Sequence, residues 1–160
     1  MSALDVRSPV AEPVRSVRRR VDGDWWTGLV LGAAVVAMAL VAGLIYTFSV
    51  AVMPNLADAD DRTFVATMQR FNENPVFQLS FTAALALTAL AAVLQRRHGP
   101  GVAVRWTVAA LVLYGIVFAV TLGINVPLND EIDRAGDPDR IADLADVRNQ
   151  FEDPWVAANI

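Results

Sequence analysis

Three long segments of this 160-residue chain contain no charged side chain. A helix needs ~20 mostly apolar residues to cross the hydrocarbon core of a bilayer, and each segment is longer than that. Helices buried in soluble proteins are usually shorter and carry a polar stripe, which these segments lack. The sequence therefore predicts an all-α membrane protein, a bundle with three transmembrane helices at residues 25–56, 74–95 and 106–129.

The overall composition agrees with a membrane protein and narrows the chemistry that is available. Hydrophobic residues make up 55% of the chain and charged residues 19%, whereas soluble domains average ~45–50% and ~25%. The chain has no Cys and a single His, so it lacks disulfides and offers few ligands for zinc, haem or copper. We expect no metal site, no cofactor and no nucleic-acid partner.

The arginines are unevenly divided between the two ends of the predicted helices. Eight of them precede the first helix or lie in the turn between the second and third. The other five lie in the first loop and the C-terminal tail, beside thirteen of the seventeen acidic residues. By the positive-inside rule, the N-terminus is cytoplasmic, and residues 57–73 and the tail from residue 130 lie outside the cell membrane.

Residues 1–24 precede the first apolar segment and show little periodicity, so we expect a disordered cytoplasmic segment there. An Arg-rich stretch before an apolar run is also found in signal peptides. This apolar run is too long for an h-region of ~7–15 residues, however, and no A-x-A-like cleavage site stands out. Residues 25–160 are therefore the predicted membrane domain.

Two segments outside the predicted spans show apolar residues at helical spacing. Asp60 or Asp61 is placed to cap the first of these helices. Asp137 is the expected N-cap of the second, with Pro138 at the first helical position. We expect both helices to cap the bundle, because neither has the basic face of a lipid-binding helix. The apolar positions are Phe64, Met68 and Phe71 in the first and Ile141, Leu144, Ala145 and Phe151 in the second.

The first predicted span carries a row of small residues, which allow two helices to approach closely. We expect this row to pack within the bundle, and contact with a second copy or a partner membrane protein is the alternative. Ion transport is disfavoured, because Tyr46 and Tyr114 are the titratable side chains clearly inside the spans. The row consists of Gly28, Gly32, Ala39, Gly43 and Thr47.

Uncharged polar side chains gather at the outer ends of the three predicted spans, each group beside a proline. Asparagine and proline commonly end helices, so a purely structural role is open. Asn125 and Gln78, however, should lie within the membrane, where an unpaired amide is costly. They need partners, which are either each other or a bound polar molecule. The group comprises Ser49, Asn55, Asn72, Asn74, Gln78, Thr121, Asn125 and Asn129.

Four blocks of the chain, in this order and spacing, resemble the anthrone oxygenase family of small membrane proteins. They are AGLIYTFSVAVMPNL (42–56), FVATMQRFNENPVF (64–77), TLGINVPLND (121–130) and RNQFEDPWVAAN (148–159). The resemblance covers about residues 25–160 and implies a four-helix membrane bundle. Fungal members of the family are associated with oxidising anthrones to anthraquinones with molecular oxygen, without a recognised metal or flavin.

In that family the last block is usually followed by a basic residue and a fourth apolar helix. This chain stops at Ile160, so we expect a three-helix bundle, with lipid or a partner where the fourth helix would pack. The positions that match the recurring pattern are Tyr46, Phe48, Pro54, Asn72, Asn74, Phe77, Asn125, Pro127, Asn129, Phe151, Glu152, Trp155 and Asn159.

The resemblance suggests a site for a polycyclic aromatic substrate. Such a reaction needs an apolar slot for flat rings, amide donors for an enolate oxygen and a weak base. The expected catalytic residues are Asn72, Asn125 and Asn129 as donors and Glu152 as the base. The expected substrate-binding residues are Tyr46, Phe48, Asn74, Phe77 and Trp155. The alternative is a non-catalytic membrane protein that associates with another chain through its helix faces.

Overall fold

The computed structural model describes residues 13–97 and 101–159, with side chains described from Trp25 onward. Every element in that part of the chain is helical, which confirms the all-α class. The α-helices are α1 (Pro13–Thr47), α2 (Met53–Ala57), α3 (Asp61–Asn72), α4 (Pro75–Arg96), α5 (Val102–Val120), α6 (Val126–Arg134) and α7 (Leu144–Asn159). Two π-helical turns, Phe48–Val52 and Thr121–Asn125, join α1 to α2 and α5 to α6.

Three helical stretches are long and apolar enough to cross a membrane, as the sequence predicted. They are Trp25–Ala57, Pro75–Arg96 and Val102–Arg134. The third stretch runs on to Arg134 rather than ending at residue 129, because α6 continues α5 through the second π-helical turn. The first residues of the acidic tail, 130–134, therefore belong to this helix, which the sequence did not predict.

The three spans are held together mainly through α4, which packs against both α1 and α5. Small side chains make this approach close, since Ala84 and Ala91 of α4 are completely buried. Val41 of α1 and Tyr114 of α5 pack with Ala84. The hydroxyl of Tyr114 donates to the carbonyl of Phe81 at 2.9 Å. This bond satisfies a hydroxyl that would be costly to leave unpaired within a bilayer.

A proline follows each π-helical turn, at Pro54 and Pro127. Proline has no N–H group, and its ring clashes with the carbonyl four residues earlier, so a regular α-helix does not pass through it undisturbed. In both turns, the N–H of the residue after the turn bonds to the carbonyl of its first residue, which is the wider π-type pairing. The turns therefore carry both long helices past their prolines instead of ending them.

The elements α2, α3, α6 and α7 form a helical cap over one end of the three spans. The first amphipathic helix is α3, and Asp60 is its N-cap, accepting a hydrogen bond from the N–H of Thr63 at 3.0 Å. The largest buried cluster of the described residues lies in and beneath this cap rather than between the spans. It consists of Phe48, Met53, Phe64, Val65, Met68, Ile132, Phe151 and Trp155.

The second amphipathic helix, α7, begins at Leu144, later than predicted, and the expectation that Asp137 caps it is wrong. The Asp137 side chain instead accepts from the N–H of Asp139 at 3.0 Å within a separate turn. The residue that caps the first turn of α7 is Asp143, whose Oδ1 accepts from the N–H of Asp146 at 3.0 Å. Both aspartates are good caps, so local sequence alone did not distinguish them.

The end of α6 is fixed by a glycine and by a contact from α3. Gly136 has a φ of 86°, a left-handed conformation that glycine adopts without steric cost and that commonly ends helices. The Nε2 of Gln69 donates to the carbonyls of Ile132 at 2.8 Å and Gly136 at 2.9 Å. These bonds satisfy carbonyls that have no partner at a helix end, and they attach α3 to α6.

The segment before the first span differs from expectation. Disorder was expected over residues 1–24, whereas α1 already begins at Pro13. Residues 1–12 lie outside the described residues, as does the turn at residues 98–100.

The small-residue row on α1 does not pack as expected. A Cβ atom added at Gly28, Gly32 or Gly43 would meet no atom within 4 Å beyond the adjoining residues and backbone of its own helix. The expectation that the row packs within the bundle is therefore wrong for these glycines. Ala34 and Val41, which are buried, form the packed side of α1 instead.

Candidate functional site

A cavity of about 230 Å³ lies where the three spans meet the helical cap. Its walls come from α1, α4 and α5, from both π-helical turns, and from α3, α6 and α7. The volume is just below the ~300–1,000 Å³ of pockets that hold drug-sized ligands, so the space suits one compact molecule. Aromatic rings and side-chain amides supply most of its chemical character.

The aromatic wall of the cavity consists of Phe48, Phe71, Phe77 and Trp155. Phe48 lies at its centre, with ring centroids 5.1 Å from Phe71, 5.7 Å from Phe77 and 5.7 Å from Trp155. The two Phe contacts are edge-to-face, which favours aromatic packing and holds the rings in fixed orientations. Four separate elements thus contribute to one rigid apolar surface, because these rings come from the first π-helical turn, α3, α4 and α7.

An amide cluster of Asn72, Asn125 and Asn129 lines the same cavity. The Nδ2 of Asn125 donates to the carbonyl of Trp155 at 3.1 Å, and the indole Nε1 of Trp155 donates to Oδ1 of Asn129 at 2.8 Å. A carbonyl only accepts and an indole N–H only donates, so the partners decide which way each amide is turned. These two bonds attach α7 to the kinked helix formed by α5 and α6.

The amide orientations leave two groups of the cluster available. Asn125 is 5% exposed, and its Oδ1 receives no hydrogen bond from any residue that the structure describes. The Nδ2 of Asn129 likewise donates to no described residue. The cavity therefore contains a free acceptor and a free donor on one helix, four residues apart. Both line the cavity and can bind a polar atom of a ligand.

The third amide, Asn72, links α3 to α6. Its Nδ2 donates to the carbonyl of Asn129 at 3.3 Å and to Oδ1 of Asp133 at 3.1 Å. Asn74 follows on the chain and caps α4, with Oδ1 accepting from the N–H of Val76 at 3.1 Å. The carboxylate of Asp133 thus belongs to the same network as the amides.

The structure brings together most of the residues that the sequence nominated. The cavity lining includes seven of them, with Asn125, Phe48 and Trp155 buried and the other four more exposed. The seven are Asn72, Asn125, Asn129, Phe48, Asn74, Phe77 and Trp155. Gln78 also lines the cavity, but its amide forms no hydrogen bond with Asn125, whose Nδ2 donates to the carbonyl of Trp155.

Tyr46 and Glu152 are not brought to the cavity. Tyr46 is 67% exposed on the surface of α1. Glu152 lies on α7 and pairs with Arg148, with Oε2 2.6 Å from Nε. Neither side chain lines the cavity, so the structure gives no support to Tyr46 as a binding residue or to Glu152 as the base at this site.

The partner of Glu152, Arg148, occupies a buried junction of the helical cap. Its side chain is 13% exposed, and its guanidinium lies 4.6 Å from the centre of the Phe64 ring. Nη1 pairs with Asp61 at 3.0 Å, and the hydrogen bond to Glu152 raises the pKa of Arg148. The guanidinium also donates to the carbonyls of Leu56, Ala57 and Ala59, at 3.4, 2.9 and 2.8 Å.

Sequence reasoning missed two functional candidates, Phe71 as part of the aromatic wall and Asp133 as a cavity carboxylate. Phe71 was assigned only to the apolar face of an amphipathic helix. Asp133 lay beyond the predicted end of the third span. Its signal was the spacing of Asn125, Asn129 and Asp133, since residues four apart lie on one face of a helix. The proline at position 127 hid that signal, because a proline usually ends a helical pattern.

Exposed residues among the lining show where the cavity opens. At the level of the spans, Gln78 and Thr82 of α4 and Leu122 after α5 are exposed and border the cavity. At the level of the cap, Asp130 and Asp133 are exposed and border it. One part of the rim is therefore uncharged and the other is anionic. Over residues 25–97 and 101–159, no three His, Cys, Asp or Glu side chains are arranged to hold a metal ion.

Comparison with known protein families gives one result. A family model described as "Anthrone oxygenase" matches residues 68–160, more than half of the chain. The match contains α4 to α7 and the amide cluster, and it leaves out α1 and Phe48. No curated protein and no solved structure matches the chain significantly.

Proposed function

Since the chain belongs to the anthrone oxygenase family, we propose that it is an oxygenase of a flat, polycyclic aromatic substrate of the anthrone type. The observation that carries the proposal is the placement of free amide groups against an aromatic wall in one cavity. A membrane location suits such a substrate, which partitions into lipid.

The proposed reaction needs little chemistry from the protein. An anthrone has a CH₂ group between two aromatic rings, opposite a ketone. Removal of one proton gives an enolate that is electron-rich enough to react with dioxygen. In the full reaction, the CH₂ group becomes a second carbonyl and dioxygen is reduced. One oxygen atom enters the product, and the other leaves as water with the two hydrogens that the carbon has lost.

The cavity supports each requirement of this reaction. The rings of the aromatic wall supply contact surfaces for a flat substrate. The free Nδ2 of Asn129 donates a hydrogen bond to the enolate oxygen, where negative charge develops. The free Oδ1 of Asn125 accepts a hydrogen bond from a substrate hydroxyl. Trp155 positions both amides, so the α7 contacts control the site.

The proposal is tested by oxygen uptake. Purified protein in lipid vesicles is incubated with a hydroxylated anthrone, and oxygen consumption is compared with the spontaneous rate. Wild-type protein should exceed that rate, and Asn125→Ala should lower the excess by at least about tenfold, since loss of one such polar contact often costs more. No excess uptake by wild-type protein would contradict the proposed function for this substrate class.

Asn55→Ala is the matched control for that experiment. Asn55 also donates its Nδ2 to a carbonyl, that of Ala51 at 2.7 Å, but it is exposed and lies outside the cavity. Its substitution removes a carboxamide next to the other proline kink. Equal losses in Asn55→Ala and Asn125→Ala would show that the effect is not specific to the cavity.

The orientation in the membrane is part of the proposal. We place the N-terminus in the cytoplasm and the helical cap outside, on the strength of the arginine distribution. The chain has no Cys, so single-cysteine variants report one position each. A membrane-impermeant thiol reagent should label Asp139→Cys in intact cells and Ser2→Cys only after permeabilisation. The reverse pattern would contradict the orientation.

A further inference from the structure

Asp133 lies eight residues after Asn125 and four after Asn129, so the three side chains follow one face of the kinked helix. All three line the cavity. The Oδ1 of Asp133 accepts a hydrogen bond from Nδ2 of Asn72 at 3.1 Å. Its Oδ2 has no hydrogen-bond donor or cationic partner among the residues that the structure describes.

The other carboxylates near the cavity are engaged elsewhere. Asp130 also lines the cavity, but its Oδ2 lies 3.5 Å from Nη2 of Arg134. Glu152 is held by Arg148 at 2.6 Å and does not line it. Asp133 is therefore the cavity-lining carboxylate, within the described chain, that combines a fixed orientation with an oxygen free to accept a proton.

A second acceptor lies on the same helical face as this carboxylate. The Oδ1 of Asn125 is in a side chain that is 5% exposed and has no donor in the described chain. Because Asn125 lines the cavity, a ligand hydroxyl can donate a hydrogen bond to this oxygen. A substrate that reaches Asn125 lies along the same helical face as Asp133.

We propose that Asp133 is the general base of this site. The assignment rests on the proposed function, because it names the base for that reaction. The C–H bond of the substrate CH₂ group breaks, and its proton passes to the free oxygen of Asp133. The electron pair remains on the substrate and delocalises onto the ketone oxygen, which accepts a hydrogen bond from Asn129. Asn72 is the positioning residue that orients the carboxylate.

Proton removal is measured separately from oxygen chemistry by hydrogen exchange. Protein in lipid vesicles is incubated without oxygen in D₂O with a hydroxylated anthrone, and deuterium entry at the CH₂ carbon is followed by NMR. Wild-type protein should accelerate exchange over the spontaneous rate. Asp133→Asn should lower that acceleration by about 100-fold or more, the usual effect of losing a general base.

Two further measurements make the result specific to the base. Asn at position 133 still offers an oxygen to Asn72, so Asp133→Asn should bind the unreactive anthraquinone product with a dissociation constant within about threefold of the wild-type value. Glu131→Gln is the matched control. It removes a carboxylate from the same helix but outside the cavity, and it should exchange at the wild-type rate.

Each outcome decides the assignment. Wild-type exchange in Asp133→Asn, or loss of exchange in Asp130→Asn or Glu152→Gln instead, would overturn it. Exchange that depends on Asp133, together with no oxygen uptake by wild-type protein, would support the base and refute the oxygenase proposal. Wild-type oxygen uptake without any enzyme-dependent exchange would overturn the base and leave the oxygenase proposal standing.

Discussion

The indole Nε1 of Trp155 donates to Oδ1 of Asn129 at 2.8 Å, and this bond attaches α7 to the kinked helix that carries the amide cluster. The same residue accepts a hydrogen bond from Asn125 through its carbonyl at 3.1 Å. Trp155 therefore holds two amides in the orientation that leaves their other ends free. Its ring is also part of the aromatic wall, 5.7 Å from the centre of Phe48.

Trp155→Phe should keep most of the ring contact and remove the donor to Asn129. Loss of one hydrogen bond to a partly buried acceptor costs about 1 kcal/mol. For a chain of this size, that corresponds to a decrease of roughly 2–4 °C in apparent Tm. Thermal unfolding in detergent, monitored by circular dichroism, measures this decrease. Trp106→Phe is the control, because Trp106 is 73% exposed. An equal decrease in both variants would show that the Asn129 bond contributes nothing.

Arg148→Met should destabilise the protein much more strongly. The substitution leaves the carboxylates of Asp61 and Glu152 and several carbonyls without their partner. This network is only partly buried, since Asp61 is 41% exposed, but the loss of several hydrogen bonds should cost more than the ~1 kcal/mol of one. Thermal unfolding would reveal this cost as a larger loss of apparent Tm. Arg148→Lys keeps the charge but not the planar set of donors, so its apparent Tm should lie between those of the wild-type protein and Arg148→Met.

The control for Arg148 is Arg140→Met. Arg140 is 87% exposed and lies 3.6 Å from Asp137, and exposed pairs contribute little to stability. This variant should unfold at nearly the wild-type temperature. A similar loss in Arg140→Met and Arg148→Met would contradict the role of Arg148 as the junction of α2, α3 and α7.

Asp60→Asn tests the acid sensitivity of the cap on α3. Hydrogen bonds from Thr63 lower the pKa of Asp60 below its usual value of 3.8. A group with a lowered folded-state pKa stabilises the protein above its unfolded pKa, and this contribution is lost as pH falls through the folded value. Wild-type Tm should therefore decrease below about pH 4. Asn caps helices about as well as Asp without titrating, so the Tm of Asp60→Asn should decrease less at acid pH than the wild-type Tm.

Asp139 also contributes to the acid sensitivity of the wild-type protein. The hydrogen bond from Arg62 lowers its pKa as well, so Asp60→Asn should reduce the acid sensitivity without abolishing it. Asp60→Asn combined with Asp139→Asn should flatten the profile further. An unchanged pH profile in Asp60→Asn would contradict the contribution of the cap.

Thr82→Phe should narrow the uncharged part of the cavity rim. Thr82 is exposed and borders the cavity, whereas Leu79 on the same helix is 66% exposed and does not. If the ligand occupies this part of the cavity, Thr82→Phe should weaken anthraquinone binding by about tenfold, or ~1.4 kcal/mol. Leu79→Phe should bind as wild type. Equal affinities in the two variants, measured by fluorescence quenching, would place the ligand elsewhere.

The sequence identified the amide residues because polar side chains stand out in apolar segments. Asn125 is such a case, since an unpaired amide is costly in a bilayer and must find a partner. Which partner it finds was not readable, because Trp155 is thirty residues away along the chain. The prediction that Tyr46 lines the site received no support from the structure for a related reason. A helix that is apolar on all sides has no periodicity from which to tell its packed face from its lipid face.

For the charged residues Glu152 and Asp133, too, local sequence showed the spacing but not the tertiary contacts. The spacing of Arg148 and Glu152 is that of a helical ion pair, but the carbonyls that complete the Arg148 junction come from α2 and the loop after it. Asp133 entered the site only because a π-helical turn carried the helix past Pro127.

By itself the sequence determined the three spans and the residue types of the site, because the bilayer cost of charges and backbone groups acts on every residue locally. The tertiary structure alone decided which carboxylates reach the cavity and which amide groups stay free. Those outcomes depend on the meeting of α3, α6 and α7, whose contacts join residues far apart in the chain and leave no periodic mark on any one segment.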